Sequence, residues 1–176
     1  MNQKKIENYF DKYSAIIKNL ENRKIVKLIN KLKFFKKKIL IFGNGGSANI
    51  ANHVANDFTN ASKIRALAFN DSGMITCFSN DYGFENWICK AIDYYSDKGD
   101  IVILISSSGM SKNIIKAAKK CKLENIFLVT LSGFKENNLL RNYGNINFYV
   151  PSVSYNYVEL AHLQILMSVI DLLKKN

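Results

Sequence analysis

Two apolar runs in this chain, Ile39-Leu40-Ile41-Phe42 and Ile101-Val102-Ile103-Leu104-Ile105, each break abruptly into a turn of glycine and small polar residues. The first turn is Gly43-Asn44-Gly45-Gly46-Ser47, and the second is Ser106-Ser107-Ser108-Gly109-Met110-Ser111. An unbroken β-branched and aromatic run without polar alternation suits a strand buried on both faces, the condition of a parallel sheet covered by helices. Helical spacing of apolar residues resumes after each turn, so each turn is a strand-to-helix junction. A helix N-terminus presents unpaired backbone N–H groups and a partial positive charge, which together suit an anion. Serine and asparagine add hydroxyl and amide contacts of the kind a phosphate or a sugar uses. Two such junctions in one small domain point to a phosphorylated small molecule.

The rest of the chain repeats the same alternation. Strands are predicted at 38–43, 64–69, 101–106, 126–131 and 146–150. Helices are predicted at 47–60, 84–95, 111–121 and 154–174, with shorter ones near 72–79 and 135–142. This order predicts a three-layer α/β sandwich around a five-stranded, mostly parallel sheet. Ligands of such sheets bind beyond the carboxyl ends of the strands, where the strand order reverses. Ahead of the sheet, Ile6, Tyr9, Phe10, Tyr13, Ile16, Ile17 and Leu20, then Ile25, Leu28, Ile29, Leu32 and Phe35, recur at helical spacing. They predict two amphipathic helices, or one broken one, hinged near Asn22. An apolar stripe there must be covered, and a copy of itself is the expected cover. The chain thus reads as one domain over residues 1–176, with oligomerisation helices at 1–37 and a ligand-binding core at 38–176.

Charge and composition narrow the class. The net charge of +11 resides mostly in residues 1–38, which carry twelve Lys/Arg against three acids. These lysines are spread around helical polar faces without clustered arginines or interleaved exposed aromatics, so a solvated surface is favoured over nucleic-acid binding. No apolar run is long enough to span a bilayer and no signal core follows Lys4 and Lys5, so a cytoplasmic location away from membranes is expected. Cys77, Cys89 and Cys121 lack metal-ligand or redox spacing and read as ordinary buried thiols.

Competing readings of the turns are weaker. Gly43-Asn44-Gly45-Gly46-Ser47-Ala48 matches a relaxed dinucleotide fingerprint, but Asp71 lies only approximately where the acidic partner is needed. A phosphate-binding P-loop needs Lys-Ser/Thr where Ala48-Asn49 stands, so no nucleotide cofactor is expected. Ser108 is a natural helix cap, yet capping needs one serine rather than four within six positions. Two polar pairs complete the candidates. His53 and Asp57 share one face of the helix after the first turn. Glu159 and His162 interrupt an otherwise apolar last helix and need partners there. Spacing alone leaves open whether these pairs hold zinc, move protons, or simply bond to each other.

Taken in order, Gly43-Asn44-Gly45-Gly46-Ser47, His53-Val54-Ala55-Asn56-Asp57, Ser79-Asn80-Asp81-Tyr82-Gly83-Phe84, Ser106-Ser107-Ser108-Gly109-Met110-Ser111 and Val129-Thr130-Leu131-Ser132-Gly133 resemble the sugar isomerase (SIS) family, most nearly its phosphoheptose isomerase branch. The resemblance covers about residues 38–173. It implies a flavodoxin-like SIS fold, a homotetramer bundled on the N-terminal helices, and conversion of sedoheptulose 7-phosphate to heptose 7-phosphate for bacterial surface heptoses in lipopolysaccharide or capsule. It also implies that Ser106, Ser107, Ser108 and Ser111 hold the phosphate. Asn44, Gly45, Gly46 and Ser47 would meet the sugar, with Asp81 a further cleft candidate.

Aldose–ketose isomerisation needs a base to carry a proton between C1 and C2, and an acid or a metal at the carbonyl oxygen. In the resembled enzymes a Glu at the position of Asp57 is the base and a His at the position of Met167 is the second catalyst. Zinc is held there by these two, by a His matching His53 and by a Gln matching Glu159. Asp57 is one methylene short, and Met167 transfers no proton. Two outcomes follow. In one, the site is rearranged, with Asp57 as base, Glu159 or His162 in the second role, and His53, Asp57 and Glu159 as a possible zinc set. In the other, the chain binds phosphosugars without isomerising them, like the family member that binds the replication initiator DnaA.

Overall fold

The structure is a computed structural model that describes residues 2–174; the domain limits drawn at 1 and 176 lie outside the described residues. Five strands form one sheet: β1 (Ile39–Phe42), β2 (Ala66–Ala68), β3 (Ile101–Ser106), β4 (Phe127–Ser132) and β5 (Ile146–Tyr149). All are parallel, in the order β2-β1-β3-β4-β5. The order reverses between β1 and β3, the two strands that carry the glycine and serine turns. Both turns therefore open at the switch point of the sheet.

Alternate residues of the central strands feed two cores. Ile39, Ile41, Ile101, Ile103 and Ile105 face a layer made by α2 (Asn22–Leu32), α3 (Gly46–Asn60) and α7 (Tyr155–Leu173). Leu40, Phe42, Val102 and Leu104 face α5 (Trp87–Tyr95) and α6 (Lys112–Leu123). The period of two along each strand produces this division. Asp100, at the entry to β3, ties the sheet's lower edge together. Its carboxylate accepts the Lys38 N–H at 3.0 Å and the Asp97 N–H at 2.7 Å, and pairs with Lys38 Nζ at 2.6 Å.

The N-terminal helices α1 (Gln3–Lys18) and α2 break at residues 19–21, directly before Asn22, where the hinge was expected. Several expectations need correction. The helix expected at 135–142 is only a short 3-10 turn, Leu139–Asn142. Asn138 explains it: its side-chain amide donates to Ser132 Oγ, Gly133 O and Lys135 O, curling the chain. The cysteines are not uniformly buried. Cys121 is buried and its thiol pushed up to about 12 by desolvation, Cys89 is half-buried, and Cys77 is exposed. Cys77 lies on α4 (Ser72–Tyr82), which rides on the surface and buries no residue completely. Asp71, the approximate match to a nucleotide-binding acid, caps α4 by accepting the Met74 N–H at 2.7 Å. No helix among the described residues is long and apolar enough to cross a membrane.

Candidate active site

The two turns enclose one cleft of about 290 Å³ above the β1–β3 switch point. Asn44, Gly45, Gly46, Ser47, Ser106, Ser107, Ser108 and Ser111 all line it, joined by Ile105, Tyr155 and Glu159. Among the described residues no lysine or arginine lines it, so an anion there depends on amide and hydroxyl dipoles.

The turns differ in what they leave free. At the first, the N–H groups of Ser47 and Ala48 are taken locally by Asn44 O and Gly45 O, each at 3.0 Å. Gly45 adopts φ 54, ψ −124, a conformation only glycine enters readily, and a Cβ there would meet open space. The first turn therefore offers an open floor at Gly45 with few free helix amides beside it. At the second, Ser111 caps α6 without using its side chain, because its Oγ bonds Ser106 Oγ at 3.2 Å. The Ile115 N–H is taken by Ser111 O and that of Ile114 by Asn113 Oδ1. The first-turn amide of Lys112 is left open, beside four serine hydroxyls. Gly109, at φ 64, permits this turn; a Cβ there would stand 2.1 Å from Asn138 Oδ1.

Glu159 projects from α7 onto the N-terminus of α3. Its carboxylate packs so closely on Gly46 that a Cβ there would lie 2.3 Å from Oε2, and Ser107 Oγ donates to Oε1 at 3.5 Å. The carboxylate thus stands between the two turns, against Gly46 of the first and Ser107 of the second.

The remaining expected residues are not brought to the cleft. His53 and Asp57 pair with each other at 3.3 Å on an outer face of α3, with side chains 55% and 32% exposed. Asp81 is exposed on α4, bonded by the Asn80 amide at 3.1 Å, and lines no part of the cleft. His162 is wholly buried, and neither ring nitrogen has a hydrogen-bond partner. Burial drives its pKa down to about 4. A neutral imidazole sealed in the core has no route to a substrate proton.

The expected zinc set does not assemble either. Zinc takes four donors in a tetrahedral shell, and among the described residues no three His, Cys, Asp or Glu side chains group closely enough to hold a metal. The reason is helical rise. Glu159 meets α3 at Gly46, seven residues before His53, which separates them by about 10 Å along the axis. Met167 is half-buried within the α3–α7 core cluster. No chemical step is therefore routed through a metal.

Sequence reading missed Tyr155 and Asn113. Tyr155 opens α7 as an exposed aromatic, a position with no periodic signal. Asn113 had a faint signal, an amide one residue inside a helix of lysine and apolar residues.

An SIS domain family model matches residues 8–133. A phosphoheptose isomerase of Fusobacterium nucleatum is 34% identical over 156 residues, spanning 86% of this chain and 80% of that protein. One from Clostridium acetobutylicum is 33% identical over 158 residues, with the same two coverages, 86% and 80%. The structure of a phosphoheptose isomerase from Francisella tularensis superposes with a TM-score of 0.88 at 25% identity, covering all of both chains. With its 2-1-3-4-5 parallel sheet, its serine-lined switch point and these likenesses, the chain belongs to the SIS domain family, in the phosphoheptose isomerase branch.

Proposed function

We propose that this chain is a phosphosugar isomerase that interconverts sedoheptulose 7-phosphate and the corresponding aldose, heptose 7-phosphate. The observation that carries the reading is the placement of one carboxylate, Glu159, in the same cleft as the serine turn. The phosphate lies on the Ser106, Ser108 and Ser111 hydroxyls and the open amide of Lys112, while Ser107, bonded to Glu159, stands toward the reacting carbons. The carbon chain crosses the switch point over Gly45, where nothing obstructs it, and brings C1 and C2 to Glu159. Glu159 takes the proton from C1 of the ketose and returns it to C2 of the resulting enediol. The oxygens exchange their proton through the hydrogen-bonding groups beside the carboxylate, Ser47 and Ser107 among them. Asp57, the base that family resemblance implies, sits at His53 outside this lining, so Glu159 takes its place in this reading.

Ile6, Tyr9 and Phe10 are exposed on α1, which buries no residue of its own, and Leu160 is exposed on α7 nearby. This face supports assembly into the homotetramer, in a cytoplasmic enzyme supplying heptose for surface polysaccharide such as lipopolysaccharide. Turnover of sedoheptulose 7-phosphate by Glu159→Gln and Asp57→Asn tests the central assignment. Glu159→Gln is expected to lose at least 1,000-fold in kcat, about the scale of a missing acid–base group. Near-normal turnover by Glu159→Gln, with loss in Asp57→Asn, would overturn it.

A further inference from the structure

Asn113 touches both halves of the cleft without lining it. Its side chain is buried beneath the site, with the residue 2% exposed. Asn113 Nδ2 donates to Asn44 Oδ1 at 2.9 Å, and Asn44 Nδ2 donates to Asn113 Oδ1 at 3.0 Å. This is a closed amide pair between the first turn, after β1, and the first turn of α6, after β3. Asn113 Oδ1 also accepts the Ile114 N–H at 2.9 Å, which holds the amide plane against α6.

From this geometry we infer that Asn113 is a positioning residue, setting the distance between the sugar turn and the phosphate turn and aiming the Asn44 amide into the cleft. The inference rests on the phosphosugar reading above. An amide carries two N–H donors and an acceptor with two lone pairs. Asn113 occupies one of each on Asn44, leaving one N–H and one lone pair for a sugar hydroxyl in a fixed direction. The pair has two-point geometry, so it resists rotation as well as separation. Neither β1 nor β3 supplies this, because strand pairing ends below the turns: the β1–β3 register closes at Phe42 and Leu104. Beyond that rung the spacing of the two turns depends on side chains. A substrate anchored at its phosphate and reacting at the far end of its carbon chain is sensitive to that spacing, since an error near 1 Å costs about 100-fold in rate.

The test compares two ligands by calorimetry on the full chain. Inorganic phosphate occupies only the serine turn, whereas sedoheptulose 7-phosphate spans both. In Asn113→Ala, the affinity for sedoheptulose 7-phosphate is expected to fall at least tenfold and kcat further, while that for inorganic phosphate stays within about twofold. A merely structural role would weaken both ligands alike. Asn113→Gln retains an amide but displaces it by a methylene; it keeps the test available if Asn113→Ala does not fold, and the same split is expected. Parallel loss of both ligands, or no loss of either, overturns the inference. If wild-type protein binds inorganic phosphate but not sedoheptulose 7-phosphate, the function proposed above has failed instead. The amide pair is then judged by NMR. The Asn44 side-chain N–H signals should shift and exchange faster in Asn113→Ala, and unchanged signals overturn the inference.

Discussion

Replacing Gly46 by alanine should yield a protein that folds at least as well as wild type and catalyses far worse. Gly46 is the first residue of α3, and its φ is not positive, so an alanine backbone fits. Alanine exceeds glycine in helix propensity by up to about 1 kcal/mol, with less of that realised at a helix end. The added methyl, however, would stand 2.3 Å from Glu159 Oε2 and 2.7 Å from Cδ. Ordinary contact lies near 3.5 Å, so the carboxylate must retreat by roughly 1 Å. It is the tip of a flexible side chain and can do so at little cost to the fold. A shift of that size in a group transferring a proton costs on the order of 100-fold in rate. The assay is kcat for sedoheptulose 7-phosphate alongside thermal unfolding and inorganic phosphate binding. The expected pattern is kcat down about 100-fold, an unchanged or slightly raised Tm, and phosphate affinity unaltered. Turnover within threefold of wild type would refute the role given to Glu159, because the three atoms nearest the added methyl all belong to its carboxylate.

Two further predictions concern stability. Asp100 accepts two backbone N–H groups and a lysine while almost fully buried; burial alone would raise its pKa, but the hydrogen bonds from Lys38 and Asp97 hold it below the usual value. Asp100→Ala strands those donors, and urea unfolding should show a loss of about 3–5 kcal/mol; a loss under 1 kcal/mol would contradict the account. His162 is neutral when folded, with its pKa down to about 4 against 6.5 in the free residue. As pH falls below 6.5 the unfolded chain takes up this proton first, so stability declines until about pH 4, by about 3 kcal/mol in all. His162→Leu should flatten that slope in urea titrations at pH 7, 6 and 5, and an unaltered slope would show that another group is responsible.

The fold was legible because its signals are local. Mostly apolar strands of three to six residues and helices with one apolar face specify a covered parallel sheet almost regardless of detail, and the five strands appear where those runs lie. The 3-10 turn at 139–142 was not legible, because it depends on Asn138 reaching carbonyls up to five residues away. In the site, the glycine and serine turns were readable for the same local reason. Each carries its anion-binding or floor-forming property in its own backbone. His162 was misjudged because polarity within an apolar helix signals a need for a partner without saying which way the side chain faces. It faces the sheet, while Glu159, three residues earlier, faces the cleft.

By itself the sequence pointed to a phosphorylated ligand and determined the end of the sheet where the glycine and serine turns open, since unpaired amides, hydroxyls and unobstructed glycines are properties of short segments. Only the tertiary structure decided which acid stands in the cleft and what joins the two turns across it. Those depend on where α7 meets α3 and where Asn113 meets Asn44, contacts between residues 113 and 69 positions apart. Approaches of that kind are set by packing of whole elements, to within an ångström, and no spacing in the chain encodes them locally.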